Sequence, residues 1–197
     1  MMETAQKILM KMLKDFSVSH TVTSLAEETG LSRVGTWKAL KKLEAEKLIR
    51  LTPAGSGKTC TYIVELNWTN ILTEKNLELL LIEEAQDNQR WVDNFKELEK
   101  SIDFLILFGS ILHSPKEADD IDILIVADKK DLLKAGETIT RIQKTQIKKI
   151  HSTNLTEAEF KKEMGKQNRI LMDAIKKGAV LFGQGRFIKT IKGMKER

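Results

Sequence analysis

A chain of 197 residues with 41% hydrophobic and 31% charged residues has the balance of a folded globular protein, long enough for one large or two small domains. Its apolar runs, such as Leu79–Ile82 and Phe104–Phe108, are far too short to span a bilayer, and MMETAQKILMKMLKD lacks a signal-peptide core, so a cytoplasmic protein with no membrane partner is expected. One cysteine, Cys60, excludes an internal disulfide and a cysteine-rich zinc site, while the net charge of +5 divides into about +3 over 1–70, −8 over 71–139 and +10 over 140–197.

In chain order, Ala5, Ile8, Leu9, Met12 and Leu13 recur at helical spacing and predict an amphipathic helix over 3–16. Ser24, with Glu27 three residues on, has the capping-box spacing for a second short helix, which Gly30 ends. Ser32 is the expected cap of a third helix, with Val34, Trp37, Leu40 and Leu43 supplying one face. Leu48–Leu51 reads as a strand, PAGSGK as a tight turn, and Cys60–Val64 as the returning partner.

Three helices and a β-hairpin over residues 1–67, with SLAEETGLSRVGTWKALKKLEAEKLI running into a glycine-rich turn, resemble the winged helix-turn-helix family. The resemblance implies double-stranded DNA as a partner. A helix docked in the major groove needs cations for phosphates at its edges and short polar groups toward the bases. Lys38, Lys41 and Lys42 suit phosphates, Arg33 and Thr36 suit base edges, and Lys58 at the wing tip suits a neighbouring phosphate. The GSGKT stretch at Gly55–Thr59 is not an ATPase loop: the leading glycine of that motif falls at Thr52, and the segment joins two strands instead of opening a helix.

Residues 68–100 read as a long connecting helix, with Leu77, Leu81, Ala85, Trp91, Val92, Phe95 and Leu98 in its apolar stripe. That stripe is expected to pack on the second domain or on a second copy of the chain. A homodimer is the favoured expectation, because dimeric DNA readers bind two half-sites.

The segment 101–197 holds the chemistry. Phe104–Phe108 is a continuous apolar run, as in a strand covered on both faces, and it ends in Gly109-Ser110. About ten residues on, Asp119-Asp120-Ile121-Asp122 runs into a second apolar strand, Ile123–Val126. Side chains two apart on a strand share a face, so Asp120 and Asp122 point the same way. Two such carboxylates make a hard-oxygen site for magnesium, and a glycine-serine turn beside them lets backbone approach a triphosphate.

An apolar strand, Gly-Ser, a spacer of about nine to ten residues and Asp-x-Asp in a second strand resemble the nucleotidyltransferase superfamily of polymerase β, particularly its minimal members. The resemblance implies that Gly109 and Ser110 bind nucleotide phosphates. It also implies that Asp120 and Asp122 bind Mg (or Mn) as catalytic ligands, with a nucleoside triphosphate as substrate or ligand. Two departures stand out. His113 and Ser114 occupy positions where many members have arginine and glycine, and the candidate strand for a third carboxylate, Gln146–His151, contains no acid. Glu157, Glu159 and Asp173 fall on predicted helices beyond it, so no general base is evident. His113 and His151 read as structural or surface histidines rather than replacements. The remainder, 154–188, predicts two helices, the first capped by Asn154 or Thr156, and a short closing element at Ala179–Phe182.

The expected fold class is therefore mixed α+β: a winged helix (1–67), a connecting helix (68–100) and a polymerase-β-like domain with a small mixed sheet (101–197). The expected function is NMP transfer from a Mg–NTP to an acceptor. The alternative is a transcription regulator or antitoxin-like module whose nucleotidyltransferase domain only binds nucleotide or a protein partner.

Overall fold

A computed structural model describes residues 3–55 and 61–195 and divides the chain into two compact units, Met1–Leu80 and Leu81–Arg197. Helix α1 (Thr4–Lys14) buries Ile8, Leu9, Met10, Met12 and Leu13. Strand β1 (His20–Thr21), which sequence reasoning did not anticipate, leads directly into α2 (Val22–Thr29). The cap of α2 is Thr21, not Ser24: the Thr21 hydroxyl accepts from the Ser24 amide at 3.1 Å, and the Thr21 amide donates to Ser24 Oγ at 2.9 Å. A two-residue strand ending at Thr21 brings the helix start forward, so Ser24 occupies the third helical position of the reciprocal box. Gly30 ends α2 at φ +68°, the left-handed cap its sequence position predicts.

Helix α3 (Arg33–Ala45) starts at Ser32, whose Oγ accepts from the Gly35 amide at 3.1 Å. Its buried residues are Thr36, Leu40 and Leu43, an i, i+4, i+7 row, whereas Val34 lies outside that row and is 66% exposed. The hairpin pairs β2 (Ile49–Ala54) with β3 (Thr61–Leu66), antiparallel, from Ile49 opposite Leu66 to Ala54 opposite Thr61. β1 adds to the free edge of β3, giving a three-stranded sheet in the order β1-β3-β2.

The segment expected to be one long helix is divided. Helix α4 (Ile71–Asp87) stops at Asn88, whose φ of −109° and ψ of 30° leave the helical region. The Asn88 side chain donates to the Glu84 carbonyl at 2.9 Å, and its own carbonyl receives the Trp91 amide at 2.8 Å. Helix α5 (Gln89–Phe95) and a 3₁₀ turn (Lys96–Ser101) then carry Trp91, Phe95 and Leu98 into the core of the second unit. Leu77, Leu81 and Ala85 of the same apolar stripe are also buried.

The second unit is built on a four-stranded mixed sheet in the order β6-β5-β4-β7: β4 (Phe104–Phe108), β5 (Asp120–Val126), β6 (Lys149–Leu155) and β7 (Ala179–Phe182). β4 runs antiparallel to β5 and β7, while β5 and β6 are parallel. A parallel pair needs a crossover, and α6 (Lys129–Gln143) supplies it. One sheet face carries Leu105, Leu107, Ile121, Ile123 and Ile125 against Ala135, Ile139 and Ile142 of α6. On the other, Phe104 meets Phe160 of α7 (Glu157–Gly165) and Phe187 of α9 (Gln184–Lys195) edge to face, each at 5.4 Å. Cover on both faces is why β4 reads as an unbroken apolar run.

The last elements follow from their caps. Thr156 caps α7 by a reciprocal box with Glu159, and Asn168 caps α8 (Arg169–Lys177) through Oδ1 to the Ile170 amide at 3.1 Å. β6 begins three residues later than the Gln146–His151 strand read from sequence. Gln143 is the reason: its Nε2 donates to the Lys148 carbonyl at 3.0 Å and its Oε1 accepts from the Ile150 amide at 2.7 Å, which holds the preceding residues in a turn.

Candidate functional site

The site lies where the end of β4 meets the starts of β5 and β6. Asp120 and Asp122 share a face of β5, with Ile121 turned into the core at 1% exposure. Cross-strand register sets their neighbours. Phe108 lies opposite Asp122 on β4, and His151 lies opposite Asp122 on β6. Residues in register project on the same side of a sheet, so His151 is delivered to the face that carries both carboxylates. Its Nδ1 lies 3.1 Å from Asp120 Oδ2 and 3.8 Å from Asp122 Oδ1.

Asp120, Asp122 and His151 form a group whose ligand atoms lie within 4.8 Å of one another. Their side chains keep 33%, 30% and 48% exposure, so the group is open to solvent. Burial pushes the Asp122 carboxyl above its ordinary value, the charge of Asp120 adds to that, and His151 opposes it. Two half-buried carboxylates repelling each other on one face fit a divalent cation, whose charge would relieve the repulsion.

Gly109 follows β4 at φ +84° and ψ −169°, a combination that only glycine adopts without strain. A Cβ at this position would lie 2.5 Å from Asp122 Oδ2. The glycine thus brings bare backbone against a carboxylate, and Ser110, itself exposed, opens a 3₁₀ turn (Ser110–Leu112) anchored by the buried Ile111. The Ser110 carbonyl receives the amides of His113 at 3.0 Å and Ser114 at 2.8 Å, which makes the turn compact.

The four residues singled out for nucleotide and metal therefore converge. His151, set aside in the sequence reading, joins them, and His113 does not belong to the group. The other acids are engaged elsewhere: Glu157 pairs with Lys161 at 2.5 Å, Glu159 closes the α7 cap, and Asp173 pairs with Lys177 at 3.7 Å. A signal for His151 was available in principle. Once β6 is known to run parallel to β5 and to start at Lys149, counting two residues in reaches the position beside Asp122.

On α3, Arg33, Lys38, Lys41 and Lys42 are all exposed. Lys41 is already engaged, paired with Glu44 and lying 5.6 Å from the centre of the Trp37 ring. Thr36, expected to reach base edges, is instead fully buried in the row with Leu40 and Leu43, where its side chain is not presented to solvent. Lys58 and Cys60 lie outside the described residues. No helix among the described residues is long and apolar enough to cross a membrane.

No curated protein and no solved structure matches the chain significantly. Residues 92–184, from α5 to the start of α9, match the family model described as Polymerase beta, Nucleotidyltransferase, and that span contains the Gly109-Ser110 turn, both aspartates and His151. The second unit of this chain is therefore a nucleotidyltransferase-like domain of the polymerase β kind.

Proposed function

We propose that this chain is a DNA-bound nucleotidyltransferase, working as a cytoplasmic protein, that moves a nucleoside monophosphate from a metal–nucleoside triphosphate to an acceptor hydroxyl. The observation that carries the reading is the approach of Gly109 backbone to Asp122, with Asp120 beside it on one face of β5. In the transfer, the acceptor oxygen bonds to the α-phosphorus, the bond to the β-phosphate breaks, pyrophosphate leaves and the acceptor proton passes to solvent. Asp120 and Asp122 would hold the divalent cation, which when bound neutralises phosphate charge and polarises the reacting phosphorus. Gly109 and Ser110 would line the triphosphate, because the absent Cβ lets backbone come close. In the first unit, three helices with a hairpin wing support a winged-helix reading of duplex DNA, and exposed Arg33, Lys38 and Lys42 would meet phosphates and base edges. Exposed Ile71, Leu72 and Leu79 on α4 support a homodimer as the DNA-binding form.

The test is transfer of label from each α-labelled NTP, with Mg²⁺ or Mn²⁺, to the protein itself and to cell-extract fractions. Transfer by the wild type and none by the Asp120→Ala, Asp122→Ala double variant is the expected result. His151 favours a second reading, because it stands on the strand where a third carboxylate would serve as base. In that reading the domain senses nucleotide for a transcription regulator, or docks a protein partner as an antitoxin-like module. Metal-dependent nucleotide binding with no transfer would select it.

A further inference from the structure

We infer that His151 is a metal ligand, and that the Asp120–Asp122–His151 group selects a first-row transition divalent cation over magnesium. This rests on the reading of Asp120 and Asp122 as metal ligands and goes beyond it in the donor and the ion. Magnesium takes hard oxygen ligands and keeps most of its water, whereas an imidazole nitrogen suits zinc, cobalt, nickel and iron. A site with two carboxylates and one imidazole on a single face is a mixed nitrogen–oxygen set.

The geometry fits such a set. His151 Nδ1 stands 3.1 Å and 3.8 Å from the nearest oxygens of the two aspartates. Neighbouring donors on a tetrahedral ion with bonds of about 2.1 Å lie about 3.4 Å apart, between those two values. The nitrogen facing the carboxylates is the one that would bind. The arrangement is set by backbone register: His151 opposite Asp122 in a parallel pair, with β6 started by the Gln143 contacts. A half-exposed histidine held among carboxylates by a sheet is placed before any ion arrives. The group also leaves room for other ligands, since all three side chains remain partly open to solvent, and a nucleotide phosphate or water would complete the sphere.

The experiment is calorimetric titration of the untagged full-length protein with Zn²⁺, Co²⁺, Mn²⁺ and Mg²⁺, without nucleotide, and the visible spectrum of the Co²⁺ form. The variants are His151→Ala, His151→Asp and the Asp120→Ala, Asp122→Ala pair, each checked for folding by circular dichroism. The wild type should bind Zn²⁺ and Co²⁺ more tightly than Mg²⁺ by roughly tenfold or more. His151→Ala should lose roughly tenfold or more of that affinity and change the Co²⁺ spectrum. His151→Asp should shift the preference toward Mg²⁺, which also shows that the substituted strand still folds. Unchanged Co²⁺ affinity and spectrum in both His151 variants, with binding abolished by the aspartate pair, would overturn the role of His151 and leave the carboxylate site standing. Metal binding indifferent to all the variants would overturn the site itself.

Discussion

Gly109 and Asp122 sit so close that a single methyl group on the glycine would fall 2.5 Å from the carboxylate oxygen. The pair joins the end of one strand to the start of its antiparallel neighbour, and it makes the turn proposed for phosphate and the carboxylate proposed for metal one mechanical unit. Gly109→Ala should therefore strain the backbone and displace Asp122 together. The expected cost is about 1–3 kcal/mol of stability, read by urea denaturation, with metal-dependent nucleotide protection lost. Unaltered stability and protection would show that the turn relaxes freely.

Asp122 should leave a pH signature in the metal-free protein. Burial, then the charge of Asp120, holds its carboxyl above the ordinary value. A group that binds its proton more tightly when folded stabilises the fold fully below its unfolded pKa, about 3.9, and that contribution is lost as pH rises through the raised value. With chelator present, Asp122→Asn should melt above wild type at pH 7, and the gap should close as pH falls below 4. A gap independent of pH would remove the electrostatic explanation.

The cations of α3 should not be equivalent. Lys38→Ala and Lys42→Ala should each flatten the dependence of duplex affinity on salt by about 0.9 of a logarithmic unit, the release of one phosphate contact. Lys41→Ala should flatten it less, because Glu44 already neutralises that lysine and Trp37 holds its stem. Binding that ignores salt, measured by fluorescence anisotropy from 50 to 200 mM, would remove the DNA reading.

Thr36 offers a test of packing in the same helix. Its hydroxyl is fully buried without a hydrogen-bond partner among the described residues. Thr36→Val keeps the shape and removes the unsatisfied group, so stability should rise by about 1 kcal/mol with DNA affinity unchanged. A loss of stability would mean that the hydroxyl is satisfied by a buried water.

Local signals account for much of what was legible from sequence. Gly30 and Ser32 bound helices α2 and α3 where their chemistry places them, and the Phe104–Phe108 run matches β4 residue for residue. The failures came where a local signal had two readings. Ser24-x-x-Glu27 and Thr21-x-x-Ser24 are both capping patterns, and only the pairing of His20 and Thr21 with β3 selected the second. Residues 88–95 keep helical periodicity across a break, because the apolar side chains resume at the same spacing while the backbone at Asn88 turns. Helices α6 and α9 went unread for the opposite reason. Their lysines mask narrow apolar stripes, such as Ala135, Ile139 and Ile142.

Residue type and strand parity alone were enough to put Asp120 and Asp122 on one face, since a strand alternates its side chains every residue, while the antiparallel register of β4 and β5 set Gly109 beside Asp122. Which residue completes the group was not legible locally. His151 is 29 positions beyond Asp122, and its place depends on the direction of β6, the residue at which it starts and the crossover through α6. Likewise, Thr36 looks outward-facing in the sequence, and the packing of α3 turned it inward. Chemistry carried on neighbouring residues is written in the chain, while chemistry assembled across strands depends on register, which long-range packing alone decides.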